Sequence, residues 1–450
     1  MPNKPQQTNY LASRRCAVDG PSSELNAKLA ALDAAFGSDW LKATPPSSPV
    51  QRLWQRQDEL ATNELLNFGD AVERWLAEAP DWLAGQVKAV KGKDQGNAAG
   101  AIFEILGLNL FDRDRCRVVP APASKPGFDG TLELTDGSRV LVSAKNHGLS
   151  SYEKGFLAAA RRFDEAFRKA ALTLRPAGVQ VRVLFDALPD TSAWLAVRQE
   201  VEKMLASSGQ SPQLGPAGGP WSIVLMDIDA SNQPLSTSQT STICQVFAPQ
   251  HKNEQNKFAE DIRKGCSNLL RHTKAETAAD VCRMIILRLT ATASIQACAD
   301  WADWYFREDG SDQLALILLY QTAVVDEGGG NSTLTHYLLP ITGPAFETWK
   351  HANGGNRKLP SMRLLVGSVA EGPPVQQLTD GAVTLDLSHH YSYQRGDIFR
   401  AHDPTYSSGM ISLGSPGPGV SVHLVLETPG MPSHTISVRG HRDQTLELLP

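Results

Sequence analysis

Apolar residues in the first ninety positions recur with the spacing of α-helices. From Val50 to about Val90, leucines and tryptophans fall three or four positions apart, which makes stripes along one side of a helix. A shorter helix is indicated over 23–36. We therefore predict that residues 1–92 form a helical N-terminal region whose stripes pack on a neighbouring layer.

The pattern then alternates between helical and extended stretches. After a helix at 96–108, strands are predicted at 115–120, 128–134 and 139–146, followed by a long helix from about 151 to 174, a strand at 179–187, a helix at 191–206 and a strand at 221–228. The order α-β-β-β-α-β-α-β predicts an α/β domain over 93–230 with a mixed central sheet.

Two further regions follow a Ser/Thr-rich connector at 231–242. Residues 243–350 form a second α/β block in this interpretation, with helices at 253–271, 275–282 and 293–307 and strands at 284–289 and 314–325. From about 359 to 450 the chain consists of short strands punctuated by Pro and Gly. We expect this C-terminal antiparallel β region to form a sandwich or barrel.

A hairpin at 127–146 brings the most informative side chains together. A three-residue turn over Thr135–Gly137 places Asp129 opposite Ser143, with Lys145 one pleat further on the same face. A two-residue turn would instead pair Asp129 with Ala144 and turn Lys145 to the other face. In the first register Val140, Val142 and Ala144 point into the core, and Glu133 faces Arg139 as a cross-strand ion pair.

An Asp and a Lys that converge at the open end of a hairpin suit phosphodiester hydrolysis. A carboxylate binds a hard divalent cation, because such cations take oxygen ligands. The cation stabilises charge on the phosphate and acidifies a water molecule. The lysine ammonium orients that water or neutralises the oxyanion of the transition state.

These residues resemble the PD-(D/E)xK nuclease superfamily, which is restriction-endonuclease-like, in a Ser-x-Lys variant. The resemblance covers about 95–230 and rests on Asp129, on Ser143-Ala144-Lys145 and on Glu104 in the preceding helix. It implies a restriction-endonuclease-like core in which Asp129 is the central metal ligand, Lys145 the catalytic lysine and Glu104 the acidic residue of the first core helix. It also implies Mg²⁺ or Mn²⁺ as the cofactor.

Two positions depart from the pattern of that superfamily. Gly127-Phe128 precedes Asp129 where the signature has Pro, and Ser143 stands where a second carboxylate is expected. Some restriction endonucleases with Ser-x-Lys supply a glutamate from the following helix. Glu153 is the nearest candidate for this third metal ligand, and Glu165 lies three turns further along. If neither Glu104 nor Glu153 reaches the site, the domain would bind metal poorly and would be an inactive scaffold.

Polar and basic residues near the same strand are candidates for nucleic-acid contacts. Positive side chains on a helix suit the phosphate backbone, although a solvated helix face would have the same composition. The candidates are Ser143, Asn146 and His147 at the strand and Lys154, Arg161 and Arg162 on the long helix.

Composition limits the possible partners and compartment. The 450 residues include 43 Lys or Arg and 48 Asp or Glu, so the net charge of −5 excludes a uniformly basic nucleic-acid coat protein. Six scattered cysteines are interpreted as reduced thiols, without the spacing of a zinc site. No stretch of about 20 apolar residues indicates a membrane span, and the first fifteen residues lack the apolar core of a signal peptide.

We therefore expect a cytoplasmic, divalent-metal-dependent nuclease that acts on nucleic acid, with DNA favoured and no membrane partner. A role in restriction or phage defence is an analogy with similar multidomain proteins. The chain is expected to act as a homo-oligomer or with a partner protein. The alternative is a catalytically inactive nuclease-like scaffold that binds DNA or protein within a larger complex.

Overall fold

A computed structural model of the protein describes residues 8–14, 16, 20–57, 59–111, 114–122, 124–125, 127–174, 179–207, 212–216, 218–227, 242–290, 293–309, 313–328, 331–352, 357–359, 368–371, 377–380, 383–394, 421–426 and 434–439. Its helices are α1 (Ser22–Phe36), α2 (Ser38–Leu41), α3 (Pro49–Gln55), α4 (Glu59–Glu78), α5 (Pro80–Val90), α6 (Gln95–Asn109), α7 (Ser151–Leu174), α8 (Thr191–Ala206), α9 (Glu254–His272), α10 (Ile295–Trp304), which one π-helical turn continues, and α11 (Pro344–His351).

The strands belong to two large mixed sheets and two short hairpins. They are β1 (Cys116–Pro120), β2 (Gly130–Leu134), β3 (Arg139–His147), β4 (Val179–Phe185), β5 (Gln213–Leu214), β6 (Trp221–Asp227), β7 (Thr242–Pro249), β8 (Val281–Leu289), β9 (Leu316–Gly328), β10 (Asn331–Thr342), β11 (Ser368–Glu371), β12 (Gln377–Asp380), β13 (Val383–Asp386), β14 (His390–Gln394), β15 (Ser421–Leu426) and β16 (His434–Arg439). The hairpins are β12–β13 and β15–β16.

The larger sheet has seven strands in the order β1-β2-β3-β8-β9-β10-β11. Strands β1, β2 and β3 form an antiparallel meander, whereas β8 pairs in parallel with both β3 and β9. Every residue of β8 is buried, as expected for a central parallel strand that is covered on both faces.

Helices cover both faces of this seven-stranded sheet. Val140, Val142 and Ala144 of β3 face a core built with α1 and α3–α6. Leu141 of the same strand faces a second core built with α9 and α10. The period of two along β3 therefore sends alternate side chains into different cores.

The smaller sheet has five strands in the order β14-β7-β4-β6-β5. Strand β4 pairs in parallel with β7 and antiparallel with β6. Helices α7 and α8 pack on it through an apolar core that includes Phe156, Phe163 and Val183. Apart from β14, all of this module lies between β3 and α9 along the chain, so it interrupts the seven-stranded sheet.

The mixed α/β architecture predicted from the sequence is confirmed, but strand pairing differs from the predicted order. Helix α7 and strand β4, which were expected to complete the first sheet, belong to the five-stranded sheet. Helix α9 and strand β8 take that place, because α9 packs against β3 and β8 extends the meander in parallel. The seven-stranded sheet thus combines strands from the predicted nuclease-like domain and from the second block.

Two other expectations differ from the structure. The helix predicted at 275–282 is wrong, since turns lead directly into β8 there. In the C-terminal region, β11 joins the seven-stranded sheet in parallel and β14 joins the five-stranded sheet, and the described strands form no barrel. Most of the predicted connector (231–241) and the predicted last strand (445–450) lie outside the described residues.

None of the helices in the described parts of the chain combines the length and the apolar character that crossing a bilayer requires.

Candidate active site

The turn of the β2–β3 hairpin fixes which side chains meet. Gly137 has a φ of +80°, and the Leu134 N–H donates to the Ser138 carbonyl at 2.9 Å. Of the two turns considered above, the structure therefore has the three-residue turn. Glu133 therefore lies opposite Arg139, and Gly130 lies opposite Val142. Continued by one residue, this register places Asp129 opposite Ser143.

The strands separate at this point, and the Asp129 carboxylate occupies the gap. The Asp129 N–H still donates to the Val142 carbonyl at 2.9 Å. The next available β3 donor, the N–H of Ala144, bonds to Asp129 Oδ2 at 2.7 Å instead of to a strand carbonyl. Ser143 Oγ lies 3.3 Å from the same oxygen. The buried carboxylate is therefore anchored by the backbone at the start of β2.

A close helix contact holds the segment before Asp129 in place. Gly127 has a φ of +79°, and a Cβ there would lie 2.3 Å from the Asn268 amide on α9. The Gly127 carbonyl accepts a hydrogen bond from Ser143 Oγ at 3.0 Å. Glycine therefore allows α9 to lie directly over this segment, and Ser143 ties it to β3.

Lys145 lies on the same side of β3 as Asp129. Its Nζ is 3.5 Å from Asp129 Oδ2, and the lysine side chain is 26% exposed while the Asp side chain is 7% exposed. The amine therefore faces solvent at the point where the carboxylate is buried. The arrangement brings one anion and one cation together at the open end of the hairpin.

Glu104 lies on α6, and the charges of both Asp129 and Lys145 act on its carboxyl. It shares a face of that helix with Gly107 and Leu108. A Cβ at Gly107 would lie 3.8 Å from the Ala144 methyl, and Leu108 packs against Gly130. Gln86 of α5 donates to Glu104 Oε2 at 2.8 Å. The small residues at 107, 130 and 144 thus allow α6 to carry Glu104 close to the hairpin.

The pKa of Glu104 reflects its burial and the charges of its neighbours. Burial and, to a smaller extent, the negative charge of Asp129 together raise the pKa of the Glu104 carboxyl to about 7. The positive charge of Lys145 and the hydrogen bond from Gln86 act in the opposite direction. Two carboxylates that share one site disfavour simultaneous ionisation, so a second positive charge would stabilise the ionised pair.

The third expected metal ligand does not join this pair. Glu153 lies in the first turn of α7, where its N–H donates to Ser150 Oγ at 2.9 Å. Burial raises the pKa of the Cys298 thiol, and the negative charge of Glu153 raises it as well. Within the described ranges, no three His, Cys, Asp or Glu side chains form a group that could hold a metal ion.

The donor set nevertheless suits a magnesium ion. Asp129 and Glu104 offer carboxylate oxygens, and Mg²⁺ is commonly held by one or two carboxylates while it keeps several waters and phosphate oxygens. Burial and the charge of Asp129 both raise the pKa of Glu104, and a bound cation near these carboxylates would favour their ionised forms.

His147 belongs to a second polar cluster further along the same face of β3. Its Nδ1 lies 2.9 Å from Asp261 Oδ2 on α9, and its ring meets Phe258 edge-on. Lys257 Nζ bonds to the Gly148 carbonyl at 2.8 Å and to Asp261 at 3.4 Å. The Nε2 atom of His147 forms no hydrogen bond with any residue in the described part of the chain, so it is available to a ligand.

Asp261 was not identified from the sequence. Burial raises the pKa of its carboxyl, but the hydrogen bond from His147 and the charge of Lys257 outweigh burial and lower it. A signal does exist, because Asp261 follows Phe258 by three positions and precedes buried Ile262. An acidic residue beside the apolar stripe of a helix indicates a buried polar partner.

The remaining residues that were predicted to contact nucleic acid lie in two places, on β3 and on the exposed side of α7. Ser143 is fully buried beside Asp129. Asn146 shares the row of Val142 and Ala144 on the opposite face of β3, and its amide oxygen is buried there. Lys154, Arg161 and Arg162 are exposed on α7, as is Glu165. Asn146 therefore does not share the face of Lys145 and His147.

The expected cross-strand ion pair is wrong in its partners. Although Glu133 and Arg139 are paired in the backbone register, Glu133 binds Arg117 of β1 at 3.3 Å, and Arg139 binds Glu276 at 3.0 Å. Each of these two side chains therefore binds an oppositely charged residue other than its cross-strand neighbour. A shared register position is therefore insufficient to predict an exposed ion pair.

Comparison of the chain with protein-family models, with curated proteins and with solved structures finds no match.

Proposed function

We propose that this protein is a divalent-metal-dependent nuclease of the PD-(D/E)xK type that hydrolyses phosphodiester bonds, with DNA as the favoured substrate. The observation that carries the proposal is the 3.5 Å approach of Lys145 Nζ to the buried Asp129 carboxylate where β2 and β3 separate, with Glu104 of α6 near enough for both charges to act on its pKa. A hard cation and a phosphate both find complementary charges there.

The topology around the site also supports the proposal. A helix (α6), a three-stranded meander, a crossover helix (α9) and a parallel strand (β8) follow one another in space. This is the helix and strand order expected of a restriction-endonuclease-like core. The five-stranded module would then be an insertion between the third core strand and the crossover helix.

Each residue has a role that follows from its position. Asp129 and Glu104 would hold the cation, which when bound supplies charge neutralisation at the phosphate and a more acidic water. Lys145 places a positive charge beside Asp129, where it faces a phosphate oxygen or the attacking water. His147, held through Nδ1 by Asp261, presents Nε2 to the substrate as a phosphate or water contact.

A nuclease-like scaffold without activity is the second candidate. Ser143 favours it, because its hydroxyl is directed at the Gly127 carbonyl and at Asp129, where a second carboxylate is expected. A serine hydroxyl binds a hard dication more weakly than a carboxylate does. This candidate predicts nucleic-acid binding that no divalent cation converts into cleavage.

A cleavage assay with a matched pair of variants separates the two candidates. Plasmid and linear DNA are incubated with the full chain and Mg²⁺ or Mn²⁺, beside Asp129→Asn and Asp136→Asn. Asp136 belongs to the same hairpin, but its carboxylate is directed at Ser138 in the turn. The nuclease proposal requires cleavage that only Asp129→Asn abolishes; binding without cleavage under either metal contradicts it.

A further inference from the structure

An aromatic pair lies on the surface beside the end of β3. The ring of Tyr152 in the first turn of α7 stacks on His251 with a centroid distance of 3.6 Å and an angle of 9°. Tyr152 is nevertheless 38% exposed. A stacked ring with this much open surface offers a flat apolar face to a ligand.

Neighbouring groups hold both rings in fixed orientations. The Asn253 N–H donates to His251 Nδ1 at 3.2 Å, and its side-chain amide donates to the Tyr152 hydroxyl at 3.3 Å. The His251 N–H donates to the Tyr391 hydroxyl at 3.2 Å. The rings are therefore preorganised, and binding a flat ligand would cost little side-chain entropy.

Contacts connect this pair to the candidate active site. Glu254, at the start of α9, accepts hydrogen bonds from Ser150 and from Tyr391 in a buried cluster. Lys257, one turn further along α9, bonds to Gly148 and to Asp261, which orients His147. The stacked rings thus lie on the same α7–α9 junction that follows the row of Lys145 and His147.

Exposed basic residues lie near the pair along the chain and continue along α7. Lys154 and Lys252 are exposed within two positions of the two rings. Arg161 and Arg162 continue the exposed basic residues along α7. A basic surface that carries an open aromatic ring is the arrangement that binds single-stranded nucleic acid, because the cations contact phosphates while a base stacks on the ring.

We propose that the Tyr152–His251 stack is a base-stacking platform, and that the substrate of the site carries an unpaired nucleotide there. The inference rests on the proposed nuclease function and specifies its substrate class. A base inside a continuous duplex has both faces covered by its neighbours and cannot stack on a protein ring. Single strands, and duplexes with an unpaired segment, are therefore preferred over continuous duplex DNA.

Equilibrium binding of two probes tests the platform. The probes are a short single-stranded oligodeoxynucleotide with a fluorescent purine analogue and a blunt duplex of the same sequence, both measured with the full chain and chelator, so that no cleavage occurs. Tyr152→Ala should weaken single-strand binding at least about fivefold and leave duplex binding unchanged. The analogue should lose its stacking-dependent quenching, and Tyr152→Trp should restore both signals.

Leu172→Ala provides the control, since Leu172 is 56% exposed near the other end of α7; it should change neither probe. Equal losses for the single strand and the duplex, or unchanged binding by Tyr152→Ala, would overturn the platform. Cleavage is scored separately with the Asp129 variants. A cleaving chain that shows no stacking refutes the platform alone, and stacking without metal-dependent cleavage refutes the nuclease alone.

Discussion

The two large sheets differ in the charges and hydrogen-bond partners that surround a buried carboxylate. In the five-stranded module, Asp164 of α7 is fully buried, accepts a hydrogen bond from the Tyr393 hydroxyl at 3.0 Å and lies 3.4 Å from Arg168. Above the seven-stranded sheet, Glu104 has the Gln86 amide as its hydrogen-bond donor and a second carboxylate, Asp129, as a neighbour.

This difference distinguishes a structural charge from a functional one. A buried carboxylate that has its own cation and hydroxyl contributes to the fold and needs nothing further. Two carboxylates with one shared lysine leave negative charge without a matching cation, which is typical of a site that binds one. The proposed function assigns the chemistry to the seven-stranded sheet, and we expect the five-stranded module to support it.

Replacing Lys145 should produce the largest contrast between the sheets. Lys145→Met removes the ammonium beside Asp129, and we expect cleavage to fall roughly hundredfold or more, since one electrostatic group at a reacting phosphate contributes that much. Lys203→Met, an exposed lysine on α8 of the other module, should leave cleavage rates unchanged. Comparable losses for both variants would contradict the assignment of chemistry to one sheet.

The pH dependence of stability should reveal the crowded carboxylates. The pKa of Glu104 is about 7 in the fold against 4.5 in an unfolded chain, so its contribution to stability is complete below pH 4.5. It is lost as the pH rises through 7, and the total loss is up to about 3 kcal/mol. Denaturant unfolding across this range measures it.

Glu104→Gln should remove this pH-dependent loss, whereas Glu165→Gln on the exposed side of α7 should retain it. Mg²⁺ should also reduce the loss, because a cation between the two carboxylates stabilises their ionised forms. A parent chain whose unfolding free energy shows no decline over this range would mean that Glu104 and Asp129 do not share a site.

Asp164, the carboxylate with its own partners in the five-stranded module, should behave differently from Glu104. Asp164→Ala removes a fully buried carboxylate and leaves the half-buried Tyr393 hydroxyl without its acceptor, and we expect a loss of about 2 kcal/mol in the free energy of unfolding. Cleavage per folded molecule should remain at the parent level. Unfolding curves measure the loss of stability, and a cleavage assay normalised to the folded fraction measures the activity. A large loss of cleavage at unchanged stability would assign a chemical role to the five-stranded module as well.

The hairpin was predictable because its determinants are local. Asp136-Gly137 locates the turn, and the alternation of Val140, Val142 and Ala144 indicates the buried face. The sequence left two turn lengths open, and the structure has the three-residue turn, in which Asp129 and Lys145 meet. The position of Glu104 was implied by resemblance and depends on glycine at 107, which lets α6 approach.

The partner of β3 was not predictable from periodicity. An apolar strand pattern shows that β4 and β8 are buried but carries no information about which of them lies next to β3. That choice depends on contacts far apart in sequence, and more than one hundred residues separate β3 from β8. Asp261 was missed for the same reason, since its partner His147 is 114 positions away.

Asp261→Asn should have a moderate effect that tests whether a positioning residue supports the site. The variant replaces the carboxylate oxygen that holds His147 Nδ1, and we expect cleavage to fall about tenfold, as for other groups that orient a functional histidine. Steady-state cleavage assays with the folded variant measure this loss. Asp300→Asn supplies the control, because Asp300 contacts the exposed His389 at 3.2 Å outside the candidate site.

Exposed ion pairs should give the smallest effects and should not distinguish the two sheets. Arg117–Glu133 on the meander and Arg198–Glu202 on α8 have similar distances, 3.3 and 2.8 Å, and both are largely in solvent. Double-mutant cycles should give coupling energies of about 0.5 kcal/mol or less for each pair, decreasing with salt. Since solvent screens both pairs alike, a coupling several times larger in only one would show that exposed charges also differ between the sheets. Equal, small couplings would confine the difference to the buried carboxylates.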